Sequence, residues 1–107
     1  MRKLLLGMCT LFLVLSLAGQ ALGEKKIIFA SDCTWPPMEM MSPDKKCIGF
    51  GPDVVRAMAD AGDFEAEIKN TAWDGIFAGL AAGKYDAISS SVSITEERKK
   101  VMDFTAP

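Results

Sequence analysis

The sequence predicts an α/β fold in which a mostly parallel sheet is flanked by helices. Three observations carry this expectation. Short strand-like runs bounded by charged or turn residues recur at 26–31, 64–69 and 85–89. Apolar residues at helical spacing lie between them, at 52–61 and 73–82. The breaks are short and rich in Gly or Pro, with no internal repeat and no low-complexity linker. Strands alternating with helices across short connections are the pattern of parallel strands joined by helical crossovers.

Residues 1–23 stand apart from that fold. Met1-Arg2-Lys3 is positive, Leu4 to Ala18 is almost uninterruptedly apolar, and Ala21-Leu22-Gly23 offers small residues at a cleavage site, which together read as a secretory signal peptide. The apolar run falls short of the roughly 20 residues a bilayer span needs. Glu24-Lys25-Lys26 follows at once, so a retained anchor is the weaker alternative. No Cys sits at the cleavage point to take a lipid. Residues 24–107 are then one exported domain, periplasmic or extracellular.

Within that domain, Lys26 to Ser31 is a compact apolar run expected to form a buried strand. The segment "CTWPPMEMMSPDKKCIG" carries three prolines and an Asp-Lys-Lys turn, and should form loop and short hairpin. Pro52 to Ala61 has Pro near its start, an apolar face through Val54, Val55, Met58 and Ala59, and Gly62 as its stop. Phe64 to Lys69 alternates apolar with charged residues, as a strand does. Trp73 to Ala82 returns to helical spacing through Ile76, Phe77 and Leu80, ending at Gly83. Tyr85 to Ser89 is a third strand. Thr95 is an N-cap with Glu96 and Glu97 in the first turn, where the helix dipole favours acids. Val101 to Thr105 is a fourth strand.

Composition excludes several functions. The net charge is −2, and loss of Arg2 and Lys3 with the leader makes the product more acidic. Neither a basic stripe nor aromatics interleaved with Lys or Arg is present, which argues against nucleic acid. With no His and three Cys, one of them in the leader, a zinc site of the usual ligand types is not expected. No other cofactor is expected. Export places Cys33 and Cys47 where disulfides persist, and an even pair fits a bridge. Such a bridge would close a loop of about 15 residues, worth about 3 kcal/mol in the chain-entropy model. Two free thiols are the alternative.

In a parallel α/β sheet, ligands gather at the carboxyl ends of the strands. Three segments fall there: "SDCTWPP", "NTAWDG" and "SSSVSITEER". In the third, Ser89, Ser90, Ser91 and Ser93 offer hydroxyls, the turn offers backbone N–H groups, the helix opening at Thr95 presents its positive end, and Arg98 lies on the same helix side as Thr95. Together they make a receptor for a carboxylate, which an arginine grips with two parallel hydrogen bonds. The plain alternative is that the serines fill a loop and Arg98 is solvated like Lys99 and Lys100. Trp35 and Trp73, in the other two segments, either cover the end of the core or sandwich a flat or cationic ligand group. Asp32 either caps a turn or supplies a carboxylate to an ammonium or guanidinium.

Three blocks, "TWPPMEMMSPDKKCIGFGPDVVRAMA", "WDGIFAGLAAGKYDA" and "SSVSITEERKKVMDFTAP", together resemble the N-terminal lobe of family 3 extracellular solute-binding proteins, the amino-acid receptors of ABC transporters. The likeness runs from about Lys26 to Pro107. The Ser-x-Ser-Ile-Thr-x-x-Arg block, followed by Asp-Phe-Thr, is its most specific part. The resemblance implies a lobe of the type II periplasmic-binding-protein fold, with the second lobe absent. It implies that Arg98 and Ser93 bind a ligand α-carboxylate, that Ser91 meets the α-amino end, and that Trp35 and Trp73 flank the side chain. Asp32 matches an acidic position that meets the distal ammonium of basic amino acids, so a basic or aromatic amino acid is favoured, with an ABC permease as partner.

This sequence departs from the family pattern in two places. Pro37-Met38-Glu39 stands where Pro-Phe-Glu is usual, and Gly49-Phe50-Gly51 where Gly-Phe-Asp is usual. Met fills the same core space as Phe, whereas the missing acid at Gly51 leaves a helix-start contact unexplained. A lone lobe holds half a site and is expected to bind weakly. Two other readings stay open: an enzyme similar to cyclohexadienyl dehydratases or a ligand-sensing domain on the same scaffold, and a truncated lobe that binds nothing. No obvious general acid–base pair supports catalysis, since there is no His and Asp32, Glu39 and Asp74 have structural readings.

Overall fold

The computed structural model describes residues 25–107; the expected signal peptide, 1–23, lies outside the described residues. Two small sheets form. The first holds β1 (Lys26–Ser31), β5 (Glu65–Asn70) and β6 (Ala87–Ile88) in the order β5-β1-β6, all parallel. The second is an antiparallel meander of β2 (Thr34–Trp35), β3 (Glu39–Met41) and β4 (Cys47–Ile48). Three helices complete the chain: α1 (Phe50–Gly62), α2 (Ile76–Ala81) and α3 (Glu96–Lys99).

β1 is the central strand because it is apolar on both faces. Alternation points Phe29 and Ala30 to opposite sides, and both are buried. Ala30 joins Ile76 and Tyr85 in a core flanked by Ile28, Phe77, Leu80 and Ile88. On α1, Val55 and Ala59 are buried while Arg56 and Asp60 are exposed, the one-sided burial expected of a helix laid on a sheet. α1 contacts β3, β4 and β5 and so ties the two sheets together. Gly49 lets α1 start where it does. With φ at 120°, a Cβ there would meet the Met38 and Pro37 carbonyl oxygens at 2.6 and 2.7 Å.

The sequence patterns placed the first strand and the meander segment correctly, with local differences elsewhere. α1 begins at Phe50 and ends in a left-handed Asp63, whose N–H is bonded to the Ala59 carbonyl, so Gly62 is inside the helix. α2 begins three residues later than its apolar spacing suggests. Gly75 is left-handed at φ 92°, and the Trp73 N–H is taken by Asp32. β6 forms bridges only at Ala87–Ile88, although Asp86 and Ser89 still donate to Ile28 and Ala30 of β1.

The expected fourth strand at Val101 to Thr105 does not form. The Val101 and Met102 N–H groups both donate to the Arg98 carbonyl, closing the turn after α3, and no strand ladder takes up the residues beyond. The outer side of β6 therefore faces a groove of about 660 Å³, lined by Phe77, Leu80, Ile88 and residues 102–107. Among the described residues no helix is long and apolar enough to cross a membrane.

Candidate functional site

Asp32 follows β1 directly, at its carboxyl end, and is 7% exposed. Its Oδ2 accepts from the Trp73 N–H at 2.9 Å and its Oδ1 from the Thr34 hydroxyl at 2.7 Å. Its own N–H donates to Ser90 Oγ at 2.8 Å. One residue thus joins the loops after β1, β5 and β6. Nearby, the Cys33 N–H donates to Asn70 Oδ1 at 3.1 Å, and a Cys33–Cys47 disulfide fastens the meander to the end of β1. Of the two states left open by the sequence, the bridged one is present.

These ties bring together Trp35, Trp73, Ser90, Ser91, Ser93 and Arg98 around an open cavity of about 240 Å³. Five of the six residues singled out from the sequence line it. The sixth, Asp32, does not, and its two carboxylate oxygens are engaged in the loop contacts. Trp35 is 64% exposed and Trp73 36%, so both indoles stand at the rim in reach of solvent.

Arg98 is held from several directions. Thr95 caps α3 by accepting from the Arg98 N–H at 3.2 Å, as its sequence position predicts. The side chain turns back so that Nη1 donates to the Ser93 carbonyl at 2.8 Å. Its guanidinium carbon lies 5.7 Å from the Trp73 ring centre and 5.1 Å from that of Phe77, within cation–π range. Trp73 and Phe77 meet edge to face at 5.1 Å. A guanidinium fixed this way keeps further N–H donors for an anion, and its geometry suits a carboxylate.

Ser91 adopts a left-handed conformation at φ 49°, uncommon for a residue with a side chain. Its hydroxyl lies 2.7 and 3.0 Å from the two carboxylate oxygens of Glu39, a residue only 1% exposed. Among the described residues, the N–H groups of Ser91, Val92 and Ser93 donate to no backbone carbonyl. They remain available to a ligand.

Sequence reading missed Phe77 and Glu39 as parts of this site, and noted Ser90 only as one of the hydroxyls of the serine run. Phe77 was assigned to the helix face; it and Ser90 double as supports. Glu39 carried only a structural reading in the Pro-rich hairpin segment, with no local signal of its burial. The larger groove beside β6 touches the same turn at Ser90 and Ser91, but it lacks the arginine and both tryptophans. No group of three or more His, Cys, Asp or Glu among the described residues is placed to hold a metal ion.

Residues 27–107 match the family model of bacterial extracellular solute-binding proteins, family 3. A probable histidine-binding protein of Neisseria gonorrhoeae is 40% identical over 78 residues, which cover 73% of this chain and 29% of that protein. ABC transporter arginine-binding protein 1 of Escherichia coli K12 is 34% identical over 107 residues, all of this chain and 42% of that protein. The chain thus spans less than half the length of these curated relatives. Among solved structures, an ancestral arginine-binding protein bound to arginine matches with a TM-score of 0.74 at 33% identity, over 78% of this chain and 37% of that one. The arginine-bound form of domain 1 from TmArgBP matches with a TM-score of 0.71 at 32% identity, over 77% of this chain and 65% of that one.

Proposed function

The chain belongs to the bacterial extracellular solute-binding proteins of family 3, and we propose that it supplies one wall of an amino-acid receptor serving an ABC importer. Arg98 receives the α-carboxylate, assisted by Ser93 and the free N–H groups of the Ser91–Ser93 turn. Ser91 meets the α-amino group. Trp35 and Trp73 flank the side chain, and a basic amino acid is the favoured class. Asp32 contributes by fixing the loops that carry Trp73, Thr34 and Ser90. The signal peptide at 1–23 delivers the protein across the inner membrane, where a permease takes the ligand from it.

The observation that carries this reading is the restrained guanidinium of Arg98 facing a cavity walled by two exposed indoles and three serines. Such preorganisation spares the ordering cost that weakens binding by flexible cations. The cavity, at about 240 Å³, is smaller than the roughly 300–1,000 Å³ of pockets that engulf a small molecule. It is one side of a site closed by a second lobe. That a single domain of TmArgBP has an arginine-bound form supports recognition being centred on such a lobe. The relatives named above are binding proteins, and the site here offers groups that orient a ligand rather than a pair placed to move a proton.

The test is calorimetric titration of the complete protein with arginine, lysine, histidine and cystine, against glutamate and leucine as controls. Arg98→Ala is expected to cost about 2 to 5 kcal/mol of affinity for the preferred amino acid, because it removes the partner of a desolvated carboxylate. Unchanged affinity in that variant would overturn the assignment.

A further inference from the structure

We propose that Glu39 sets the hydrogen-bond polarity of Ser91 and thereby makes the site select an amino group over a neutral or anionic one. The proposal rests on the amino-acid reading above and deepens it. A hydroxyl has one proton and two lone pairs, whereas an ionised carboxylate only accepts. Both oxygens of Glu39 lie within reach of Ser91 Oγ, at 2.7 and 3.0 Å, so the single Ser91 proton is committed inward. What Ser91 Oγ presents to the cavity is lone pairs alone. A ligand group meeting it must be a donor.

Burial of Glu39 supports this assignment. Glu39 is 1% exposed at the start of β3, and no other side chain among the described residues hydrogen-bonds its carboxylate. Ser91 itself is exposed, and what turns its proton inward is the charge-assisted bond, which a carboxylate withdrawn from water makes more strongly than one in solvent. The left-handed turn at Ser91 brings the hydroxyl to the carboxylate while keeping the residue in the cavity wall.

Gly51 lies against the carboxylate. A Cβ there would stand 3.0 Å from Glu39 Oε1 and 3.4 Å from its Cγ. Arg98 and Glu39 then act as opposite poles: the ligand's carboxylate turns to the guanidinium, and its ammonium to the serine backed by buried negative charge. Glu39 touches no ligand itself and is a positioning residue.

The experiment compares each amino acid with its counterpart lacking the α-amino group, using the complete protein. The pairs are L-arginine with 5-guanidinopentanoate and L-histidine with 3-(imidazol-4-yl)propanoate. Calorimetry gives the affinity ratio within each pair, and a thermal melt checks folding. Glu39→Gln keeps the shape but allows its amide to donate to Ser91, freeing the serine proton to face the cavity. The amino-over-des-amino preference is expected to fall roughly tenfold or more, as for loss of a hydrogen bond to a charged group.

Ser91→Ala should lower the same ratio while leaving Glu39 in place, and it serves if the Glu39 variant fails to fold. Equal losses for both members of a pair, leaving the ratio unchanged, would mean Glu39 only props the turn and would overturn this proposal alone. A wild-type protein that binds neither amino acid of either pair, nor any other tested above, overturns the reading of the site and this proposal with it.

Discussion

Lys26 and Glu67 meet at 2.7 Å between the central strand and the outer strand β5 of the parallel sheet, and Ser91 and Glu39 meet at the same 2.7 Å beneath the cavity. Around the first pair the chain adds Glu65 at 3.5 Å from Lys26 and Lys69 at 3.8 Å from Glu67, all on side chains between 37% and 55% exposed. Around the second it adds Asp32, Ser90 and the disulfide, almost all withdrawn from solvent. Distance does not separate these regions; burial does. An exposed ion pair exchanges water for a partner of similar worth and is screened by salt. A buried donor or acceptor that loses its partner recovers nothing.

The charged edge nonetheless has a role. β5 is an outermost strand, and alternating Glu65, Glu67 and Lys69 discourage another strand from pairing with it. The strand-end cluster holds loops together, whereas the edge repels company.

Perturbing each region should sharpen the contrast. The largest stability effect is expected from opening the Cys33–Cys47 bridge, which frees the meander carrying Trp35 and Glu39. Cys33→Ala with Cys47→Ala should cost about 3 kcal/mol in urea unfolding relative to the oxidised protein. A much smaller loss would show that packing against α1 alone holds the meander. Asp32→Ala should come next, at about 2 kcal/mol, because the Trp73 N–H loses its acceptor while the exposed Thr34 hydroxyl turns to water. Asp32→Asn should lose less, since one amide oxygen can keep one of the two bonds.

The smallest effect belongs to the edge. Lys26→Met and Glu67→Gln should leave the unfolding midpoint unchanged at physiological ionic strength. A loss matching that of Asp32→Ala would break the comparison.

The same pair fixes a pH signature. The hydrogen bond from Lys26, followed by the charges of Lys26 and Lys69, holds the Glu67 carboxyl below its usual value, and burial opposes this. The bond to Glu67, with the charges of Glu65 and Glu67, raises Lys26 above 10.5 against a smaller opposing effect of burial. The Glu67 contribution is present above the ordinary carboxylate value and is lost as pH falls through its lowered one. That of Lys26 is full below 10.5 and disappears as pH climbs through the raised value. Between those limits the edge adds no pH dependence, and Glu67→Gln should alter the acid limb of a stability–pH curve and, by removing the main cause of the raised Lys26 value, weaken the alkaline limb too.

What could be read from the sequence was local. The apolar run of β1, the Thr95 cap with acids in the first turn, and the Trp and Arg segments at strand ends all depend on near neighbours. The ties that make a site of them do not. Asp32 to Ser90 spans 58 positions, Asp32 to Trp73 41, and Glu39 to Ser91 52. No periodicity marks such partners, so Asp32 reads equally as a turn cap or a ligand group until its contacts are seen. Val101 to Thr105 misled for the converse reason: its residues suit a strand, but a strand exists only beside another. The turn after α3 had already claimed its first N–H groups.

The chain's two tryptophans both stand at the rim of the cavity, one on the meander and one after β5. Indole emission moves to shorter wavelength when water leaves the ring, and a cation against the ring face changes its brightness. Trp35 is the freer of the two, while Trp73 already lies beside the Arg98 guanidinium. Arrival of a ligand and closure over the site should therefore be visible as a colour and intensity change. The protein carries its own optical reporter, with one channel for solvent exclusion at Trp35 and another for the guanidinium's response at Trp73.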